Sequence, residues 1–516
     1  MSGSAPTSPP SGKTKPAVTG GTITVFGLVL LNVTAVISLN NLPAEAEYGL
    51  SSIFYYLIAA VFFLIPVSLV AAELATGWPE KGGVFRWIGE AFRGRIGFMA
   101  MFLAWVEVCV FLPTSLTFGA VSLAYINPDE KEAATLSSNP VFVLVIVLAV
   151  FWLALFIALL GAKGFATMAK WGGIIGVFVP IAVLVVFGIA YAAGGNTPQM
   201  DVSWGKLIPD FSNFGTIVLA ASIFLMYAGM EMNAVHVKEV KDATKNYPIA
   251  IFASAILTVV IFVLGTLAIA WIVPAKDINL TQAILVTYFD IFTWAGIPWA
   301  GSVLAIMLAI GVLVNITTWV AGPSTGLLAV AKAGYLPKIF QKTNKHGAAV
   351  TIMFTQAAIV TLVSVLFVLL PSVQSAYQIL NQLANILYLT VYMLMFASII
   401  RLRYSQKNQP RPFRLGKSNT LVWIIAGLGF VASLTAYVFS FIPPDQINVG
   451  SPIVYIVVLI VLAVVFYAIP NIIYQFRKPA WNSNDPTFAP FSWQAASSTT
   501  DAAAPAAATS STRGKA

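Results

Sequence analysis

Met226-Tyr227-Ala228-Gly229-Met230-Glu231-Met232-Asn233-Ala234-Val235-His236-Val237-Lys238-Glu239 is the stretch whose reading decides the fold. It lies in an apolar segment that begins near Phe214, which places Glu231 close to bilayer depth. A carboxylate there costs about 2.5–3.5 kcal/mol on insertion scales and marks a functional site by default. Two residues earlier, Gly229 is a point where a helix can open and leave backbone groups free to meet a ligand. Unwound positions in a membrane helix survive only where they face protein or a water-filled cavity. An interrupted helix with an acid at mid-membrane is how a secondary transporter builds its binding site. The plainer alternative, an acid paired with a helix neighbour, stays open at this point.

Working outward, the composition belongs to a polytopic membrane protein. The chain is 59% hydrophobic and only 9% charged, against about 25% charged residues in a soluble domain. Its single cysteine, Cys109, sits in an apolar run, so no disulfide framework and no Cys-based metal site is expected. With only His236 and His346, a His-cluster metal site is excluded as well, and no cofactor is expected. Residues 1–20, rich in Ser, Pro, Gly and Thr, lack the apolar core of a signal peptide. They and the Ala/Ser/Thr/Pro-rich stretch 479–516 read as disordered tails.

A membrane-spanning helix needs about 20 mostly apolar residues. Twelve such segments are counted between residues 21 and 478: 22–42, 51–73, 95–124, 140–160, 167–193, 213–237, 247–274, 296–331, 350–370, 376–401, 420–441 and 452–476. The half-polar piece 281–294 reads as an extracellular surface helix. After the second span, Gly82-Gly83 followed by an amphipathic turn predicts a tightly packed helix at the membrane surface. With both termini cytoplasmic, 25 of the 28 Lys and Arg residues fall on the inside, and Lys131, Lys206 and Lys276 lie outside beside acids. The net charge of +9 is therefore a topology signal and not a nucleic-acid footprint. The expected location is the cell membrane.

Several motifs resemble the amino acid–polyamine–organocation superfamily, and within it the glutamate/γ-aminobutyrate antiporter family. They are Ile65-Pro66-Val67 through Ala71-Ala72-Glu73-Leu74-Ala75, Gly82-Gly83-Val84-Phe85, and Tyr227-x-Gly229-x-Glu231-x-x-Ala234-x-His236-Val237-x-Glu239. Tyr247-Pro248, Trp319-x-x-Gly322-Pro323-Ser324, Asn344-Lys345-x-Gly347 and Ser440-Phe441-Ile442-Pro443-Pro444-Asp445 continue the series. The resemblance implies an all-α, LeuT-like fold of twelve transmembrane helices. Two inverted five-helix repeats (about 21–195 and 210–402) would have broken helices 1 and 6 at the centre, with peripheral helices 11 and 12 at about 420–478. It also implies exchange of small amino acids or amines by alternating access, without covalent chemistry. Three departures bear on the substrate: Ser38-Leu39-Asn40-Asn41-Leu42-Pro43 is neutral where the family carries aromatic and acidic residues, Asn315 stands at an acidic position, and Thr325 at an arginine. The acid-resistance members' His- and Arg-rich C-terminal plug has no counterpart in the tail. These differences point away from acid-gated glutamate/γ-aminobutyrate exchange and leave amino acid transport.

The expected substrate site comprises Asn40, Asn41, Tyr227, Gly229, Glu231, Asn315, Tyr388 and Tyr392. Amide N–H groups around 228–232, at a half-helix start, suit a substrate carboxylate, and Glu231 suits an amine or a proton. Asn40 and Asn41 can donate to and accept from a zwitterion, or simply end a helix. Tyr388 and Tyr392, four apart on one helical face, match two tyrosines the family uses at its substrate site; bundle packing is the other reading. Glu107 is read either as a second proton carrier or as the partner of Lys170, a position that matches a family lysine. Glu231, Glu107 and Lys170 are thus the coupling candidates. Asn381, Asn385 and Trp319 line the route or hold helices together. His236, one turn from Glu239, is a helix-end hydrogen-bonding residue or a pH sensor. The rival readings are a proton-coupled symporter, a channel, which would require a ring of like charges, and a sensor that binds without transport. A homodimer is compatible with all of them.

Overall fold

The computed structural model describes residues 23–79, 82–161, 171–212, 214–231, 240–483 and 490–494. Lys170, His236 and Glu239 lie outside the described residues. Among the described residues, ten helices are long and apolar enough to cross a membrane: Gly49–Gly77, Val84–Ala124, Pro140–Ala158, Trp171–Ala193, Lys245–Ile272, Trp299–Lys332, Val350–Leu369, Val373–Ser405, Asn419–Phe439 and Pro452–Gln475. Exposed apolar side chains such as Val145, Val186, Val431 and Val464 cover their outer surfaces, as suits contact with lipid. The chain is a multi-pass membrane protein.

Two further stretches, those the resemblance implies as broken helices 1 and 6, are interrupted. The first runs as a helix over Val25–Val36, unwinds through 37–41 and resumes at Leu42–Ala46. Pro43 lies in the first turn of the second piece, where its missing N–H is harmless. A proline also disfavours the helical conformation in the residue before it. The other is built from Phe214–Ile217, a tight turn at Val218–Ala221 and Ser222–Met226, after which the backbone opens at Gly229 with φ +109°.

Two long helices widen for one turn, at Ala60–Leu64 and at Ile174–Phe178. Each wide turn ends two residues before a proline, Pro66 or Pro180. A proline cannot donate to the carbonyl four residues back and its ring presses on it. Those carbonyls belong to Phe62 and Gly176, inside the wide turns, so the extra residue gives the ring room. At the second wide turn two helices touch backbone to backbone: a Cβ placed on Gly176 would lie 2.0 Å from the Cα of Gly311. Small residues permit such approach where lipid supplies no hydrophobic driving force.

One expectation is met and two are corrected. Helix Val84–Ala124 starts before residue 95 and breaks at Phe92 and Arg93 (φ +70°), so its first turns, with Phe85, Trp87 and Ile88 buried, form the packed helix expected after Gly82-Gly83. Helix Ala283–Trp294 is not a surface piece, because Leu285, Tyr288, Ile291 and Phe292 fall on one helical face and are buried. The stretch read as a disordered C-terminal tail contains two packed pieces. Ser483 N donates to Lys332 O (3.1 Å), and Ser492 N donates to the Glu90 carboxylate at 3.1 Å, with Phe491 buried against Phe85. Composition misled there because two aromatic residues, Phe491 and Trp493, suffice to anchor a polar segment in a preformed groove.

The Lys- and Arg-rich loops share one end of the molecule, here the basic face. They are joined by hydrogen bonds from Asn344 to Leu159 O (2.7 Å) and from Arg477 to Gly334 O (2.8 Å). The far face is tied by Gln282 to Ser138 (2.9 Å) and by Trp271 to Asn196 O (3.2 Å). At the basic face, buried Glu73 accepts from Arg403 at 2.6 Å and from Leu415 N at 2.8 Å, with Arg411 3.6 Å from its other oxygen.

Candidate functional site

The unwound stretch 37–41 supplies polar groups where a helix would have hidden them. Ser38 Oγ donates to Asn40 Oδ1, and Tyr377 Oη donates to Asn41 Oδ1 (2.6 Å) and the Asn40 carbonyl (3.0 Å). The Asn40 amide nitrogen is buried without a partner. Tyr377 belongs to helix 373–405, so this contact clamps the first crossing to that helix on the far-face side.

Glu231 sits just past the opening at Gly229. Tyr388 Oη donates to Oε1, and Tyr392 Oη (2.8 Å) and Gly229 N (3.1 Å) donate to Oε2. Gly229 N also donates to Tyr392 Oη at 3.2 Å. The two tyrosine rings, four residues apart, have centroids 4.7 Å apart. Both carboxylate oxygens are therefore supplied with donors, which suits an ionised group, and remaining lone pairs are free for a further donor.

Between the two interrupted stretches lies a cavity of about 50 Å³, lined by Ser38, Asn41, Glu107, Ser115, Asn315 and Tyr388 among others. It holds roughly three to five waters at 10–15 Å³ each. Asn40 lines an adjoining recess that shares Ser38, Ser115 and Asn315 with it. Towards the basic face a vestibule of about 460 Å³ reaches from Gly82-Gly83 and Trp87 to Glu231 and Tyr388. Trp319 borders both cavity and vestibule and stands between them.

The structure thus gathers Asn40, Asn41, Glu107, Asn315 and Tyr388 around one space, with Glu231 at the end of the vestibule and Tyr392 behind it. It turns Tyr227 away: that ring is fully buried, stacks on Phe262 and donates to Tyr56 O at 3.1 Å. A residue two before Gly229 falls on another side of the chain once the backbone turns. Asn385 holds helices together, donating to Ala221 O and Ser440 Oγ. Ser38 and Ser115 were not anticipated, because a lone serine in an apolar run carries no signal of its own. Among the described residues no group of three His, Cys, Asp or Glu is placed to hold a metal.

A further acid lies near the far face. Glu47 follows helix Leu42–Ala46 and lines a depression of about 450 Å³ with Tyr48, Tyr55 and Lys206. Burial pushes its carboxyl up to about 7. An acid whose value is raised on folding contributes stability that is full below its unfolded value and lost as pH rises through its folded value. Glu47→Gln is therefore expected to leave the thermal midpoint of the purified protein unchanged near pH 4 and to raise it near pH 8. Equal shifts at both would show that Glu47 is not strained by its charge.

A family model described as amino acid permease matches residues 21–465. The chain is 37% identical over 450 residues to a protein of Legionella pneumophila described as uncharacterized transporter lpg1691, covering 87% of this chain and 95% of that one. It is 31% identical over 460 residues to the glutamate/gamma-aminobutyrate antiporter of Lactococcus lactis subsp. lactis, covering 88% and 90% respectively. A probable agmatine/putrescine antiporter, AguD, of the same organism is 24% identical over 81% of this chain and 88% of its own. Among solved structures, MhsT in complex with L-phenylalanine aligns with a TM-score of 0.57 at 14% identity over 80% of this chain and 98% of that one. That likeness concerns the LeuT-like fold alone.

Proposed function

Because the chain belongs to the amino acid permease family, we propose that it is a secondary active antiporter that exchanges amino acids, or an amino acid for an amine, by alternating access. The observation that carries this reading is the asymmetry of the central space. It lies between two interrupted crossings, is clamped on the far-face side by Tyr377 on Asn40 and Asn41, and communicates through Trp319 with a vestibule on the basic face. A channel would leave both ends open at once.

In this reading the interrupted stretches that include residues 25–46 and 214–231 count as two further crossings beside the ten continuous helices, giving twelve. The basic face is cytoplasmic by the distribution of Lys and Arg. Substrate occupies the space next to the cavity. Its carboxylate is met by amides of the unwound stretches and by Asn40 and Asn41, and its ammonium by Glu231. Tyr388 and Tyr392 hold Glu231 in place, and Asn315, Ser38 and Ser115 face the side chain. No bond is made or broken; binding energy is used to bias one closed face against the other.

A second reading has its own observation. Glu107 borders the cavity and has no hydrogen-bond partner among the described residues, which suits a carboxyl that takes up and releases a proton in a symporter. Uptake of labelled amino acids and their decarboxylated amines into proteoliposomes separates the two. The exchanger accumulates label only when the interior is loaded with counter-substrate, by at least about tenfold over empty vesicles. Uptake into empty vesicles that follows an imposed pH gradient would establish symport. No movement of any compound on the panel would remove amino acid transport.

A further inference from the structure

Outside the central site, one acid has an environment opposite to that of Glu231. Glu45, on the short helix Leu42–Ala46, is fully buried on the side facing the second interrupted crossing. Its Oε1 lies 2.5 Å from Ser222 Oγ, and its Oε2 has no partner. No cation pairs with it among the described residues. The titratable groups that face it are phenols: Tyr48 at the end of its own segment, Tyr55 and Tyr56 from helix 49–77, and Tyr227 beyond helix 222–226. Helices 243–272 and 283–294, which also pack on this segment, turn no charged group towards it; Glu47, two residues on, is the nearest other carboxyl in the chain.

Counting protons favours a neutral carboxyl. Ser222 Oγ also lies 2.7 Å from the Leu219 carbonyl. A serine hydroxyl has one hydrogen and two lone pairs, and a carbonyl can only accept. The one serine hydrogen can serve Glu45 or Leu219 but not both, and a hydrogen on the carboxyl lets both contacts be hydrogen bonds at once, with Ser222 donating to Leu219 and Glu45 donating to Ser222. A proton on Oε1 donating to Ser222 also removes the cost of burying an unpaired charge beside the orphaned Oε2.

We propose that Glu45 is a proton-binding site whose proton holds Leu42–Ala46 against the Val218–Met226 stretch and so keeps the far face closed. The depression lined by Ala46, Tyr48 and Tyr55 lies one side chain away and gives solvent a route to it. Loss of the proton leaves a buried carboxylate without a cation that competes with the Leu219 carbonyl for the one Ser222 hydrogen, so the two pieces part and water enters. Closure of the far face is thereby favoured by acid and released by base, whatever compound occupies the centre. The proposal needs no substrate to test, so its failure is distinct from failure of the antiporter reading.

The test is infrared difference spectroscopy and amide hydrogen exchange on the full-length protein in lipid nanodiscs, with Glu45→Gln, Ser222→Ala and Glu47→Gln. At neutral pH the wild-type protein is expected to show a protonated-carboxyl C=O band that Glu45→Gln lacks, Glu47→Gln keeps and Ser222→Ala shifts. As pH rises and that band is lost, exchange in segments 42–48 and 218–226, corrected for the intrinsic rate, is expected to speed up several-fold. In Glu45→Gln, whose amide can still donate to Ser222, the corrected rates stay level with pH. A neutral-pH spectrum with no band assignable to Glu45, or the same pH response in Glu45→Gln as in wild type, overturns the proposal. If Glu45→Gln does not fold, the Ser222→Ala band decides: an unshifted band overturns it too.

Discussion

Glu231→Gln lowers the catalytic efficiency of exchange in proteoliposomes by about 100-fold or more. The carboxylate accepts from Tyr388, Tyr392 and Gly229 N, and in the proposed complex from the substrate ammonium. Hydrogen bonds to a charged group are worth about 1.5–3 kcal/mol each, and each 1.4 kcal/mol is about tenfold in binding. A glutamine keeps one acceptor oxygen but turns an N–H₂ group towards a tyrosine hydroxyl or the Gly229 N–H. The charge for the ammonium is lost altogether. Tyr392→Phe, which removes one donor and leaves the charge, falls by about tenfold on the same scale. Thermal midpoints of both variants, taken alongside, exclude misfolding as the cause. Flux in Glu231→Gln within about threefold of wild type would place the substrate amine elsewhere.

Loss of Glu73 is the second large effect, and it acts on stability. The side chains of Glu73, Arg403 and Arg411 are almost wholly buried at the basic face, and Leu415 N completes the carboxylate's shell. Nearby, Gln409 donates to Gly77 O at 2.6 Å and Thr76 to Phe413 O at 3.2 Å, so loop 406–415 is sewn to the end of helix 49–77. Removing one member of a buried ion pair costs about 3–5 kcal/mol because the other charge is left uncompensated. Here Glu73→Gln leaves two guanidinium groups facing each other. A thermal midpoint in detergent lower by several degrees is expected for Glu73→Gln, with partial recovery when Arg403→Met is added. A single variant that melts with the wild type would mean that water reaches the cluster freely.

Much of this was legible in the chain, for different reasons at different residues. The apolar runs give the ten continuous helices, because a span of lipid demands a run of apolar residues. Gly229 and Glu231 stand out because an acid at bilayer depth has few structural uses, whereas the spacing of Tyr388 and Tyr392 fits bundle packing as well and only the family resemblance singles them out. Tyr227 was misplaced because helical periodicity no longer applies beside an opened backbone. Glu45 went unnoticed in Leu-Pro-Ala-Glu-Ala-Glu, where it reads as one of two acids leaving the membrane; only the packing of Ser222 against it sets it apart from Glu47. Phe491 and Trp493 were lost in a low-complexity tail. What sequence conveys poorly is which neighbour a side chain meets, and the corrections at Tyr227, at 283–294 and at Phe491 all concern that.

The widened turn at Ala60–Leu64 can also be viewed as a sequence edit. One residue advances an α-helix by about 100°, so an extra residue rotates everything beyond it relative to everything before. Above the turn, Tyr56 meets Thr266 at 2.8 Å; below it, Glu73 meets Arg403. A lineage that lost one residue here could still form an unbroken helix, yet one of those two partnerships would face the wrong way. Such a deletion is therefore tolerable only together with replacement of Pro66 and rewiring of one end, which makes the length of this segment a better marker of shared architecture than the identity of its residues.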